Sequence, residues 1–143
     1  MTHPVRWGIL STARIARRVM DGARAADGVQ VVAIGSRDAA RAQAYAREQG
    51  IPVAYGSYDE LLADPEVEAV YVPLPNSLHV EWTVKALDAG KHVLCEKPLA
   101  ARAADAAAAR DAARRSGTLL MEGFMWPRPP NSEVPPITAA AIE

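Results

Sequence analysis

Lys97, set between Glu96 and Pro98, and His79, three residues after Asn76, are the side chains in this sequence best suited to moving a proton. An amine or an imidazole serves that purpose where burial or a neighbouring charge brings its titration toward neutrality. The surrounding residues give the chemistry a place. An apolar run from Ala69 to Val72 empties into Pro73-Leu74-Pro75-Asn76, and an amphipathic stretch then carries His79. A second apolar run, His92 to Cys95, ends on Glu96-Lys97-Pro98. As neighbouring parallel strands, the two runs would deliver Asn76, His79 and Lys97 to one carboxyl edge, where open α/β sheets bind ligands. Asn76 is also a favourable N-cap for a helix over residues 77–89.

A second cluster is suited to phosphate. Gly8-Ile9-Leu10-Ser11-Thr12-Ala13 occupies the passage from a first strand into a first helix, where a pyrophosphate meets free backbone N–H groups. The dinucleotide fingerprint wants glycine where the backbone turns tightly or approaches phosphate; here Gly8 remains, with Ser11 and Ala13 in the other places. The Ser11 and Thr12 hydroxyls can donate to phosphate oxygens, or either can cap the helix. The choice of nucleotide falls at the end of the second strand, on Ser36-Arg37-Asp38. Ser36 stands where an NAD site places an acid, and Arg37 can stack on adenine and hold a 2′-phosphate in its planar fork. Asp38 dissents, unless it caps the next helix. The expectation is NADP in preference to NAD.

The elements that position these groups follow from periodicity. Strands are expected at 5–10, 29–34, 52–54, 69–72, 92–95 and 118–121. Helices are expected at 14–26, 39–49, 58–63, 77–89 and 101–116. Gly50 and Gly90 stand where helices stop. Strands alternating with helices indicate an α/β fold with a doubly wound parallel sheet.

Composition narrows the class. The 143 residues are half hydrophobic and 23% charged, with a net charge of −1, which makes no electrostatic case for nucleic acid or an anionic membrane surface. The arginines are spread among acids and alanines as solvated helix faces. Cys95 is the single cysteine, so no disulfide forms within the chain, and its place in an apolar run suits a buried filler. The three histidines lack metal-ligand spacing. No apolar run approaches the roughly 20 residues a membrane span needs, and no signal-peptide core is evident, so a cytoplasmic protein is expected.

The Pro-Leu-Pro-Asn…His and Glu-Lys-Pro motifs, with Gly-Ile-Leu-Ser-Thr-Ala-Arg-Ile-Ala near the start, resemble the glucose–fructose oxidoreductase/inositol dehydrogenase (Gfo/Idh/MocA) family. The resemblance covers about 5–126 and implies a Rossmann-type domain over 1–126. It implies cofactor contacts from Gly8, Leu10, Ser11, Thr12, Ala13, Arg14, Ile15, Ser36 and Arg37, and a nicotinamide wall from Pro73, Leu74, Pro75 and Asn76. His79 would border that pocket. Lys97 would touch the reacting hydroxyl from a frequently cis Lys-Pro bond, with Glu96 and Pro98 beside it. Glu122 to Trp126 resembles the strand end that leads into the family's second domain.

After Trp126 the resemblance stops. Residues 127–143 read as a Pro/Ala-rich, disordered tail, with no substrate domain. The implied activity is hydride transfer between a nicotinamide and a sugar, cyclitol or dihydrodiol, with poor turnover by this chain alone. The alternative is a non-catalytic NADP-binding module, or a half-enzyme completed by a separate chain; self-association through apolar surface near Trp126 is a third expectation.

Overall fold

Six parallel strands form one sheet in the order β3-β2-β1-β4-β5-β6. The structure, a computed structural model, describes residues 3–123. Its elements are β1 (Val5–Leu10), α1 (Ala16–Ala25), β2 (Val29–Gly35), α2 (Ala39–Gln49), β3 (Val53–Tyr55) and α3 (Tyr58–Ala63). They continue as β4 (Ala69–Val72), α4 (Asn76–Asp88), β5 (His92–Glu96), α5 (Ala103–Ser116) and β6 (Leu120–Gly123). This is the doubly wound α/β sheet expected from the alternation. The chain winds outward from β1 to β3, crosses back, and winds the other way from β4. Trp126 and the Pro-rich stretch lie outside the described residues.

Local chemistry explains where the elements depart from periodicity. Arg14 and Ile15 close a tight turn, with Ala16 N donating to Ala13 O at 3.0 Å and Arg17 N to Arg14 O at 3.3 Å, so α1 starts two residues late. Similarly, Arg102 is still extended as the N-cap of α5. The last strand is displaced because Gly117, at φ +67°, ends α5 while Thr118 N returns to Ala113 O. Pairing with β5 resumes only when Val93 N reaches Leu119 O at 2.8 Å. Elsewhere the caps match the sequence: Asp38 accepts from Arg41 N, and Ser57 from Glu60 N, whose own carboxylate returns to Gly56 N.

Strand alternation divides the core between two faces. Leu10, Ala33, Val70, Val72, Val93 and Cys95 face Leu61, Leu62, Ala86, Leu87 and Ala112 of α3, α4 and α5. The intervening residues Ile9, Ile34 and Tyr71 face Ala16, Met20, Tyr45 and Ala46 of α1 and α2. Burial on both faces is why the strands read as continuous apolar runs. Among the described residues no helix is long and apolar enough to cross a membrane.

Gly8 lies within β1 rather than in the following turn. A Cβ there would sit 2.8 Å from Leu61 Cδ2 and 3.1 Å from Val67 Cγ1. Gly8→Ala should therefore lower stability by about 1–3 kcal/mol through overpacking, read as a fall in urea midpoint at unchanged slope. An unaltered midpoint would mean that Leu61 moves aside freely.

Glu68 tethers the amino end of the sheet, accepting from Arg6 N at 2.9 Å and Arg6 Nε at 3.4 Å. The backbone hydrogen bond from Arg6, helped by the guanidinium, holds the carboxyl below its ordinary value of 4.5. A depressed carboxylate stabilises the fold above its unfolded value and loses that contribution as pH falls through the folded one. Glu68→Gln should accordingly be less stable than the parent at pH 7. The gap should close in acid below the ordinary glutamate range; a gap constant with pH would exclude the carboxylate as its source.

Candidate active site

Each strand of a parallel sheet delivers its carboxyl end to the same edge, so four turns meet near the β1/β4 junction where the winding reverses. They are residues 11–15 after β1, 36–38 after β2, 73–75 after β4 and 97–102 after β5. This is the position at which open α/β sheets hold ligands.

The first turn is suited to an anion. Ser11 takes φ +136°, a conformation that favours glycine, and its Oγ accepts from Ala13 N at 3.1 Å. Neither Ser11 nor Thr12 caps α1: Ile15 holds the N-cap position without a side-chain bond, and no acid occupies the first helical turn. The partial positive charge of that helix end is therefore uncompensated by protein. Above it stands Arg41, whose Nη2 reaches Thr12 Oγ1 at 3.4 Å from the first turn of α2. Sequence reading overlooked Arg41, which stands in the first turn of α2 just beyond the Asp38 cap.

The second turn bears on nucleotide choice. Ser36 is buried, donates its N–H to Tyr55 O at 3.1 Å and accepts at Oγ from Asp38 N at 3.2 Å. Asp38 directs Oδ1 to Arg41 N, so it serves as the α2 cap. Arg14, Arg37 and Arg41 are exposed and make no ion pair among the described residues. Arg6, Arg17, Arg24, Arg102, Arg110 and Arg115, by contrast, each pair with a carboxylate.

The other two turns carry the remaining candidates. Asn76 is the first residue of α4 and not its cap; Pro75 holds that position with no side-chain bond, and Leu78 N closes the turn on Pro75 O. Asn76 is consequently left exposed at the edge, while Pro73 and Leu74 are buried beneath it. His79 departs furthest from expectation. It is 1% exposed, with Nδ1 2.7 Å from Pro98 O and Nε2 2.7 Å from Leu74 O. A ring packed this way offers no free nitrogen to a pocket.

Lys97 is exposed, precedes a cis bond to Pro98 and has no ion-pair partner among the described residues. Glu96 accepts from the Tyr71 hydroxyl at 2.7 Å and from Lys97 N at 3.3 Å. Burial, followed by that bond to Glu96, pushes the Tyr71 phenol well above its ordinary range, which keeps it a donor. Glu122, at the end of β6, accepts from Leu99 N at 2.7 Å and so ties the last strand to the Lys97 turn. Tyr71 escaped sequence reading because it sat inside an apolar strand; alternation alone placed it opposite Val70 and Val72.

A parallel sheet wound in both directions, with an uncapped helix end and unpaired arginines at its switch point, defines a dinucleotide-binding Rossmann domain. The chain belongs to the Gfo/Idh/MocA oxidoreductases: residues 5–124 match that family's N-terminal domain, described as an oxidoreductase family with an NAD-binding Rossmann fold. It is 53% identical over 122 residues to an uncharacterized oxidoreductase of Rhizobium meliloti, covering 85% of this chain and 36% of that protein. It is 52% identical over 120 residues to a D-xylose 1-dehydrogenase (NADP(+)) of Haloferax volcanii, covering 84% and 37%. Among solved structures, KijD10, a 3-ketoreductase from Actinomadura kijaniata in complex with NADP, superposes with a TM-score of 0.79 at 44% identity. That match covers 85% of this chain and 39% of the other. The chain thus spans little more than a third of the length of these relatives.

Cys95 lies directly behind the Lys97 turn, fully buried, and burial pushes its thiol up to about 11. A thiol held protonated and inaccessible is inert toward a disulfide reagent. Ellman's reagent at pH 7 should therefore leave the native chain unlabelled and titrate one thiol after denaturation. Prompt labelling of native protein would show that the β5 end opens.

Proposed function

We propose that this chain binds NADP along its carboxyl edge and forms the cofactor half of an oxidoreductase acting on a sugar-like alcohol or carbonyl. The observation that carries the reading is the pair Arg37 and Arg41, two cations without carboxylate partners, beside a buried serine where an NAD site needs an acid. Ser36, Arg37 and Arg41 would hold the 2′-phosphate, and the guanidinium fork suits that group. Gly8, Leu10, Ser11, Thr12, Ala13, Arg14 and Ile15 would frame the pyrophosphate at the α1 end. Pro73, Leu74, Pro75 and Asn76 would wall the nicotinamide, with Glu96, Lys97 and Pro98 opposite. The NADP-bound 3-ketoreductase and the NADP-named D-xylose dehydrogenase support this choice of nucleotide.

When bound, the dinucleotide supplies or accepts the hydride. Lys97 is the residue of this chain that would hold or release the proton at the reacting oxygen. Its ammonium is unpaired, and its backbone is held by Glu96, which Tyr71 fixes in turn. Nothing else described at this edge offers a second proton-transfer group, since both nitrogens of His79 face main-chain carbonyls. Substrate positioning supplies much of a barrier reduction. The commitment of both His79 nitrogens to the main chain favours, as a second reading, a binding module or a half-enzyme completed by another chain.

A thermal melt with NADPH and with NADH tests the assignment. Ligand at about a hundred times its Kd adds roughly 2.7 kcal/mol of stability, so NADPH should raise the melting temperature at lower concentration than NADH. Arg37→Ala and Arg41→Ala should each erase most of that preference. No shift with either nucleotide would end the dinucleotide reading, and an unchanged preference in both variants would end the 2′-phosphate assignment. Vigorous oxidation of D-xylose by the purified chain would overturn the expectation of poor turnover.

A further inference from the structure

We infer that His79 is a positioning residue: its imidazole braces the β4–α4 turn against the β5–α5 turn and so fixes Lys97 relative to the nicotinamide wall. The inference rests on the dinucleotide reading for its functional consequence and on geometry alone for the brace itself. His79 occupies the first turn of α4, yet it is the polar side chain most deeply buried near the edge after Thr83. Its two nitrogens do not share one partner. Nε2 meets the carbonyl of Leu74, inside the Pro-Leu-Pro-Asn turn, and Nδ1 meets the carbonyl of Pro98, the residue after Lys97, each at 2.7 Å.

These two turns have little else to connect them. β4 and β5 pair only as far as Val72 and Cys95, so the ladder stops before either turn begins. Pro73, Pro75 and Pro98 lack N–H groups and cannot donate across the gap. The turn after β5 is held on its other side by Glu122, through Leu99 N. A rigid planar ring with a polar atom at either end spans the space that main chain cannot. Both partners are carbonyls and can only accept, so the ring ties the two turns together by donating from both nitrogens; breaking the tie to Leu74 strands a buried carbonyl, which makes that half costly to lose.

The geometry allows the two halves of the brace to be cut separately. An asparagine at this position places its amide near the site of Nδ1, and a glutamine places its amide near that of Nε2. His79→Asn should keep the tie to Pro98 and release Leu74; His79→Gln should do the reverse. Amide hydrogen exchange on the ligand-free chain reads this directly. In His79→Asn, Leu74 and Asn76 should exchange about tenfold faster, with Lys97 and Leu99 unchanged, as expected for one lost hydrogen bond. In His79→Gln the pattern should invert, and in His79→Leu both segments should loosen while β1 and β2 stay protected. Uniform change throughout the domain, or none in these segments, would overturn the brace.

The functional arm compares NADPH with 2′,5′-ADP, which carries the adenine half alone. Loss of the brace should weaken NADPH about tenfold and leave 2′,5′-ADP untouched, whereas equal weakening of both would reduce His79 to a general stabiliser. Should the parent chain bind neither nucleotide, the dinucleotide reading and the positioning role fall together, and the exchange pattern alone still decides whether the two turns are braced.

Discussion

Leu61 pressed against the bare backbone of Gly8 and Gly35 is the contact on which this architecture turns. Two glycines in adjacent strands leave a shallow trough on one face of the sheet. Both lack the Cβ that would meet Leu61 atoms at 2.8 Å from Gly8 and 3.3 Å from Gly35. Leu61 belongs to α3, six residues long and too short to be stable without tertiary support. Its burial, worth about 1.5–3 kcal/mol, seats α3 where the chain must leave the β1–β3 half and cross to β4. That seat lies where the chain crosses from β3 to β4, beside the β1/β4 junction that makes the switch point.

The site follows from the crossing. Because β4 lies beside β1, the turn after β4 stands next to the turn after β1, and the turn after β5 stands one strand further on. The candidate phosphate-binding and proton-transferring groups are thereby separated along one edge. The arginines and the uncapped end of α1 gather at the β1/β2 side, and Lys97 and Glu96 at the β5 side. The electrostatics match that division. Arg17, Arg102 and Arg115 on helix faces are neutralised by nearby carboxylates, while Arg14, Arg37 and Arg41 at the phosphate end, like Arg18 and Arg47, make no ion pair among the described residues. An unpaired cation beside a helix N-terminus carries local repulsion that an anionic ligand relieves.

The winding, the strand alternation and the identity of the motif-bearing turns were legible in the sequence because each depends on short-range pattern. The burial of His79 was not, since helical periodicity puts Leu78, Trp82, Lys85/Ala86 and Ala89 on one stripe and leaves His79 off it. The buried set is His79, Thr83, Ala86 and Leu87, with Leu78 and Trp82 only partly covered. What buries His79 is a carbonyl nineteen residues away, a partner no periodicity reports. Gly8 illustrates a different failure. The fingerprint gives it a phosphate-turn role, whereas its lack of a side chain answers to Leu61 from across the sheet; the turn itself uses Ser11 at a φ that favours glycine. Asn76 was misplaced by one residue, enough to convert a cap into an exposed side chain at the edge.

Binding and chemistry place unequal demands on such a chain. The groups that would grip the adenine and phosphate end sit on α1, α2 and the turns before them, elements that pack together through Ala16, Met20, Tyr45 and Ala46. Under the proposed reading, proton transfer calls for a second group facing Lys97, and the nearest titratable candidates are committed elsewhere: Glu96 to Tyr71 and to the Lys97 amide, Glu122 to Leu99, and His79 to two carbonyls. The commitments hold Lys97 in place from three directions while leaving its ammonium unpaired. On the proposed reading, Lys97 is a positioned acid–base group, and no second one faces it among the described residues.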